Sequence, residues 1–252
     1  MSALDIPVSP ALRGKSAELE SIIHKPNYAK IWLFLIVVTS FNMNASYIGS
    51  DLTQMKKLIQ VKLDWVPGSS SESLNYTFLS TINNVGACVG ALYGKKLISY
   101  GRRKSLFVIG YIFLLSAVVT QYMNFWAILI ARLIGGVAAG LTTVAVSRII
   151  EEYVPLAMYA TASPLNALVG NLGTFIALFS AVVLPSTKAE DLEYEESVAW
   201  RYIFGFSLLF TIIGLLGLIF LVRTDTPKFY LSKGEEEESL IAIKTIYNTE
   251  GS

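Results

Sequence analysis

Cysteine and histidine each occur only once in this sequence, as Cys88 and His24. A single cysteine cannot form an intrachain disulfide, and zinc sites of the Cys/His type require several such ligands. The sequence also lacks a nucleophile paired with a base and a glycine-rich phosphate loop. It therefore predicts no enzyme activity, no metal or other cofactor, and no nucleic-acid partner.

Charged residues are scarce as well, and long apolar runs take their place. Asp, Glu, Lys and Arg make up 15% of the 252 residues, whereas a soluble domain carries about 25%. A helix needs about 20 mostly apolar residues to cross a bilayer, and in lipid it satisfies its own backbone groups. Six segments meet this requirement, and they predict an all-α integral membrane protein. The predicted spans are Ala29–Gly49, Leu74–Tyr93, Ser105–Met123, Trp126–Ile149, Thr161–Leu184 and Tyr202–Val222.

The spans divide the chain into three regions. These are a polar tail over residues 1–28, a six-span bundle over residues 29–222, and a tail over residues 223–252 that holds an amphipathic helix. Lys and Arg concentrate on the tails and on the even-numbered connections, most densely over residues 102–104. Because such a bias marks the cytoplasmic side, we predict both termini on that side, or on the matrix side of an organelle.

The second connection has the most distinctive local pattern. Gly94 and Gly101 let the chain reverse tightly, and Arg102 and Arg103 follow directly. Paired arginines at this place can bind carboxylates and the carbonyl groups at helix C-termini. The alternative interpretation is that these cations only fix the topology.

Short motifs in chain order resemble those of the major facilitator superfamily, and within it the sugar porters. Residues 94–104 resemble the family's G-x-x-x-D-R-x-G-R-R loop, and residues 132–140 resemble its R-x-x-G-x-G-x-G stretch. Residues 152–155 are similar to E-x-x-P, residues 200–201 to W-R, and residues 225–231 to E-S-P-R-Y-L. The resemblance implies a six-transmembrane-helix bundle like the N-terminal half of such a transporter, built as a three-plus-three inverted repeat.

The resemblance also implies roles for particular polar residues. Asn44 and Arg132 are expected at similar depth on neighbouring helices, and with Asn166 they are candidates for substrate binding. Proton-coupled sugar porters have an aspartate where this chain has Asn44, whereas facilitative glucose transporters have asparagine. Because an amide does not titrate, we expect no proton coupling through Asn44 and Arg132; a structural role for Arg132 is the alternative. A candidate cytoplasmic charge network that gates the transporter comprises Gly101, Arg102, Arg103, Arg148 and Glu152.

Several family positions are changed in this chain. Ile98 and Ser99 stand where the loop motif has its aspartate and arginine, and isoleucine cannot latch helix ends together by charge. Residues 147–149 replace the family's P-x-Y. The fifth-span glutamine that family members use to hydrogen-bond sugar hydroxyls falls on Ala167, beside Asn166. A sugar site needs several convergent amides, because each unpaired buried polar group costs about 1–3 kcal/mol.

Beyond the last span, the apolar residues Leu240, Ile243 and Tyr247 recur at spacings of three and four. This spacing predicts an amphipathic helix. Four glutamates in its first turn, Glu235–Glu238, complement the helix dipole. We expect the apolar stripe to contact a partner, either the membrane surface or another subunit.

Six spans form one wall of a carrier whose two six-helix halves rock about a midplane site. We therefore expect partners besides membrane lipid, namely a second six-span half or other membrane-protein subunits. The first interpretation is a repurposed half-transporter that serves as an accessory or structural subunit of a larger membrane complex, with little or no transport of its own. The second is a facilitative hexose transporter, not proton-coupled, that acts as a homodimer or with a separately encoded second half. A receptor-like sensor that binds a sugar without moving it has the least support.

Overall fold

The computed structural model describes residues 27–185, 191–222 and 224–246, and within these ranges the chain is helical and contains no strand. Each predicted span falls on one long helix, which confirms the all-α prediction. The helices are α1 (Tyr28–Gln54), α2 (Lys56–Lys62), α3 (Ser70–Ser99), α4 (Arg102–Val119), α5 (Phe125–Tyr153), α6 (Leu156–Phe179), α7 (Asp191–Glu196), α8 (Ala199–Phe220), α9 (Pro227–Lys233) and α10 (Glu236–Ile246), with a 3-10 turn at Ser180–Val183.

Four segments of the described chain are long and apolar enough to cross a membrane by composition alone. They are Tyr28–Gln54, Phe125–Tyr153, Met158–Val183 and Glu193–Phe220. Serine, threonine, asparagine and glycine dilute the apolar residues of α3, and α4 begins with three basic residues, Arg102, Arg103 and Lys104. The assignment of α3 and α4 as spans therefore rests on their packing against the other long helices.

The pairing of the long helices repeats within the bundle. α3 packs along α5 as α6 packs along α1, and α4 contacts α5 as α8 contacts α1. The pairings are preserved if α1 is exchanged with α5, α3 with α6, and α4 with α8. The contacts α1–α5 and α4–α8 are unchanged by this exchange. This is the pattern of a three-plus-three inverted repeat, as the sequence predicts.

Glycines bring the paired helices into backbone contact. A Cβ atom added at Gly136 of α5 would lie 2.1 Å from the carbonyl oxygen of Asn83 on α3. A Cβ atom added at Gly173 of α6 would lie 2.1 Å from the carbonyl oxygen of Met43 on α1. Small residues at such contacts are the usual means of close helix packing in membranes.

The two ends of the bundle carry different structures. The end that contains the α3–α4 and α5–α6 junctions, with α9 and α10, is here called the Arg102 end. The opposite end, which contains α2 and α7, is called the Asp51 end. There, α2 and α7 contribute to a second apolar cluster that includes Leu58, Tyr194 and Trp200. The connections before α3 and before α8 are thus partly helical and packed.

α10 packs on the chain itself. Its most buried residues are Ser239, Ala242 and Ile246, one position earlier than the predicted stripe. Ser239 Oγ donates to the carbonyl oxygen of Pro227 at 3.1 Å, and the carbonyl oxygen of Ile246 accepts a hydrogen bond of 2.9 Å from the backbone N–H of Asn27. Part of the helix surface that we expected a partner to cover is therefore covered by α9 and by the start of α1.

Of the three residues predicted to form the partner-contact stripe, Leu240 and Ile243 are half-buried. Tyr247 lies outside the described residues.

Candidate functional site

Arg132 of α5 and Asp51 of α1 form a buried ion pair. Arg132 Nη2 donates to Asp51 Oδ1, and both side chains are almost fully buried. Arg132 Nη1 donates to the carbonyl oxygen of Ile48 at 2.9 Å. The two charges compensate each other away from solvent, which offsets part of the cost of burying them. Arg132 is therefore paired within the bundle, but with a residue other than the expected Asn44.

Asn44 faces α8 instead. Its Nδ2 donates to Oγ1 of Thr211 at 2.9 Å, and that hydroxyl donates to the carbonyl oxygen of Ser207 at 3.0 Å. Asn44 is 0% exposed, and its Oδ1 has no hydrogen-bond partner among the described residues. Its position is that of a contact between α1 and α8, not of a side chain open to a ligand.

Two polar contacts, with one close approach between them, join α1 to α6. Asn42 Nδ2 donates both to the carbonyl oxygen of Asn166, at 3.0 Å, and to its side-chain Oδ1, at 3.1 Å. A Cβ atom added at Gly170 would lie 3.2 Å from Ser46 Oγ. The third rung is a 3.5 Å contact from Ser50 Oγ to Thr174 Oγ1. The rungs are four residues apart on both helices, so they lie on one face of each. We call these three contacts the α1–α6 ladder.

The first rung of the ladder retains free hydrogen-bonding capacity. Asn42 Oδ1 and Asn166 Nδ2 make no hydrogen bond with the described residues, and both side chains are only half-buried. One acceptor and one NH₂ donor are therefore free on neighbouring helices. Such a donor and acceptor suit a hydroxyl group, which can accept from one and donate to the other.

The α1–α6 ladder lies on a row of four helices. α3, α5, α1 and α6 are neighbours in that order, and α4 and α8 pack behind α5 and α1. Exposed polar side chains along the row include Thr81 and Asn84 on α3 and Asn171 on α6. Unpaired amides and hydroxyls are costly against lipid. We therefore expect another protein surface or water, not lipid, beside these groups.

At the Arg102 end, Glu152 is the centre of a charge network. Arg102 binds it through two hydrogen bonds, Nε to Oε2 at 2.7 Å and Nη2 to Oε1 at 2.8 Å. Arg148 Nε donates to Oε1 at 3.1 Å, and Thr226 Oγ1 donates to Oε2 at 2.9 Å. The Glu152 side chain is 1% exposed. The network joins α4, α5 and the segment before α9, and it includes three of the five residues named from the motifs.

Gly101 and Arg103 meet Asp225 instead of Glu152. The backbone N–H of Arg103 donates to Asp225 Oδ1 at 2.7 Å, and Arg103 Nη2 donates to the carbonyl oxygen of Leu218 at 3.3 Å. Gly101 has a φ of +139°, a conformation that favours glycine, and a Cβ atom added there would lie 3.1 Å from Asp225 Oδ2. The five predicted network residues therefore divide between two carboxylates.

Three residues of these networks escaped prediction from sequence. Asp51 follows the predicted end of the first span, and only its spacing of seven from Asn44, on the same helix face, could have indicated it. Asn42 stands out as a polar residue in an apolar run, but its partner is not visible in sequence. Asp225 matches the glutamate of the family motif after the last span, and its contact with the α3–α4 loop requires the fold.

The six long helices form a bundle with the pairing of a three-plus-three repeat. The model of the sugar (and other) transporter family matches residues 32–252. The chain therefore belongs to this family, the sugar porters of the major facilitator superfamily, and is an integral membrane protein.

Two relatives share the name hexose transporter 1. The chain is 31% identical over 215 residues to hexose transporter 1 of Plasmodium falciparum (isolate 3D7). That match covers 81% of this chain and 43% of the relative. It is 32% identical over 213 residues to hexose transporter 1 of Plasmodium vivax (strain Brazil I). That match covers 81% of this chain and 42% of the relative. The chain thus spans about half the length of the curated relatives it matches. The relatives are named as transporters, not as enzymes.

Solved structures share the fold. The major facilitator superfamily proton:xylose symporter XylE, bound to 6-bromo-6-deoxy-D-glucose, superposes with a TM-score of 0.75 at 19% identity, over 87% of this chain and 50% of that one. The partially occluded inward open conformation of XylE from E. coli superposes with a TM-score of 0.74 at 19% identity. The match covers 86% of this chain and 54% of the XylE chain. The predicted half-bundle fold is confirmed.

Proposed function

We propose that this chain forms one wall of a facilitative hexose carrier, and that a second six-span half supplies the opposite wall. The observation that carries the proposal is the free donor and acceptor of the Asn42–Asn166 rung. They lie on the row of helices that also exposes Asn84 and Asn171. Amides with unused hydrogen bonds on a surface unsuited to lipid match the needs of a polyol.

The position of Asn44 supports the facilitative part of the proposal. Asn44 cannot titrate and its side chain binds Thr211, while Arg132 is already paired with Asp51. The substrate contacts in this proposal are therefore Asn42 and Asn166. Asn44 and Arg132 hold α1 against α8 and α5.

The dense basic residues of the Arg102 end support an orientation in which that end faces the cytoplasm or an organellar matrix. The Glu152 network then lies at the cytoplasmic face. There it joins α4, α5 and the segment before α9. Such a clamp keeps the half rigid while it rocks against its partner.

The test is hexose uptake into proteoliposomes that contain this chain, alone and together with a second six-span half. We expect uptake that a proton gradient does not drive and that falls at least tenfold in Asn166→Ala. Leu168→Ala is the matched control, because Leu168 is exposed and lies two residues further along, where a helix presents a different face. Absence of uptake with every partner tested would refute the proposal.

A second candidate function is an accessory subunit of a larger membrane complex with little transport of its own. Ile98 and Ser99 favour it, because the family's aspartate and arginine are missing from the loop at these positions, and Ala167 offers no amide to a sugar. In that case the chain extracted mildly from its own membrane would be recovered in a large assembly with unrelated membrane proteins. Recovery as a homodimer or with a single six-span partner would favour the carrier.

A further inference from the structure

A cavity of about 720 Å³ opens at the Arg102 end, between α3, α5 and α9. Its volume lies within the range of small-molecule sites, about 300–1,000 Å³. The cavity lies at the Arg102 end of α3 and α5, two helices of the row proposed to face the sugar, and none of its lining residues belongs to the α1–α6 ladder. Its lining residues are Lys95, Ile98, Ser99, Arg102, Val144, Ser147, Arg148, Glu151 and Ser232.

The cavity coincides with the changed family positions. Ile98 and Ser99 replace the aspartate and arginine of the loop motif, Ser147 replaces a proline, and all three line this one space. Ser99 and Ser147 donate their hydroxyl hydrogens back to their own helices, to the carbonyl oxygens of Lys96 and Thr143. Small side chains turned back on their helices therefore leave room where the motif would place a long cation.

The charges around the cavity do not balance. Among the lining residues that the structure describes, Lys95, Arg102 and Arg148 are positive and only Glu151 is negative. Glu152, behind the lining, binds both arginines and compensates one further charge. Lys95 is exposed and has no acidic partner among the described residues. One positive charge therefore remains for a ligand.

We infer that this cavity binds a phosphate group, with Lys95 as its principal contact. The free edges of the Arg102 and Arg148 guanidinium groups assist, since each arginine has donors that Glu151 and Glu152 do not use. Basic pockets between transmembrane helices at a cytoplasmic surface bind phospholipid headgroups in this way. A soluble phosphate ester offers the same chemistry, and the experiment distinguishes the two sources.

The experiment titrates the purified full chain in detergent with two probes at constant ionic strength. One is short-chain phosphatidylinositol 4-phosphate, with short-chain phosphatidylcholine as its reference, and the other is inorganic pyrophosphate. Thermal stabilisation of the chain reports binding. Saturable stabilisation by the lipid alone identifies a headgroup site, and stabilisation by pyrophosphate with or without the lipid identifies a site for the phosphate group itself. Failure of both probes overturns the inference.

Two neighbouring lysines provide a matched pair of variants. We expect Lys95→Gln to weaken binding about fivefold, the effect of one basic residue near an anionic headgroup. Lys96→Gln removes the charge of a second exposed lysine that does not line the cavity, and it should leave binding unchanged. Ser99→Glu places a carboxylate in the cavity and should abolish binding. Equal losses in Lys95→Gln and Lys96→Gln would show that only the surface charge matters and would overturn the inference.

Discussion

The guanidinium group of Arg132 binds the carboxylate of Asp51, which lies seven residues beyond Asn44 on the same face of α1. Seven residues correspond to two helical turns, or about 10 Å along the axis. The ion pair therefore lies closer to the end of α1 than the polar residue that the family pattern emphasises. It joins the two helices that the internal repeat makes equivalent, α1 and α5.

Removing one partner of this pair should destabilise the fold strongly. We expect Asp51→Asn or Arg132→Met alone to cost about 3–5 kcal/mol, because each leaves the other polar group buried without its partner. The double variant Asp51→Leu with Arg132→Met should recover much of the loss. Thermal unfolding in detergent measures the effect, with Asp64→Asn as the control because Asp64 is exposed. If Asp51→Asn unfolds at the temperature of Asp64→Asn, the pair contributes no stability.

Two adjacent glutamates should differ sharply in importance. Glu152→Gln weakens charge-assisted hydrogen bonds with Arg102 and Arg148 at a buried site, and we expect a loss of about 1.5–3 kcal/mol. Glu151→Gln removes an exposed pair with Arg148, which is worth about 0.2–1 kcal/mol. Protease cleavage near the α3–α4 loop should become faster in the first variant only. Similar cleavage rates in both would contradict a central role for Glu152.

Gly136 and Gly49 offer a matched test of helix packing. Gly136→Ala should destabilise the protein or separate α3 from α5, because the new methyl would lie 2.1 Å from the backbone oxygen of Asn83. Gly49→Ala should be neutral, or stabilising by up to about 1 kcal/mol, because nothing lies within 4 Å and alanine favours helix. The measurement is the apparent melting temperature of each variant in detergent. If Gly136→Ala melts at the temperature of the unmodified protein, the close approach of α3 and α5 is contradicted.

The first rung of the α1–α6 ladder should show energetic coupling. In a double-mutant cycle, Asn42→Ala and Asn166→Ala together should cost less than the sum of the single changes. The expected difference is about 0.6 kcal/mol, the average for hydrogen bonds between membrane helices. Unfolding of the four proteins in mixed micelles measures it. Strict additivity would show that the two amides do not interact.

The sequence predicted the long helices well because apolar runs are a local signal. The predicted first span ends at Gly49 because the charged Asp51 follows closely, whereas the helix α1 continues to Gln54. Its charge is tolerated only because Arg132, far along the chain, lies opposite. No local pattern reveals a partner at that separation.

The charge network also shows that sequence motifs identify individual residues but not partners that are distant in the chain. The motifs indicated Arg102, Arg148 and Glu152, and the structure brings them together. Asp225, which holds the backbone of Arg103, meets the α3–α4 loop only once α8 has returned to that end. For α10, the apolar spacing favoured Leu240, but packing on α9 buries Ser239, a register that apolar spacing does not favour.

The α1–α6 ladder restricts how these two helices can move. Its rungs recur every four residues on both helices, from Asn42 with Asn166 to Ser50 with Thr174. Sliding α6 along α1 by one repeat, about 6 Å, would separate both the Asn42–Asn166 and the Ser50–Thr174 pair. We therefore expect α1 and α6 to tilt together, and because α1 also carries Asp51, such a tilt would displace the Arg132–Asp51 pair.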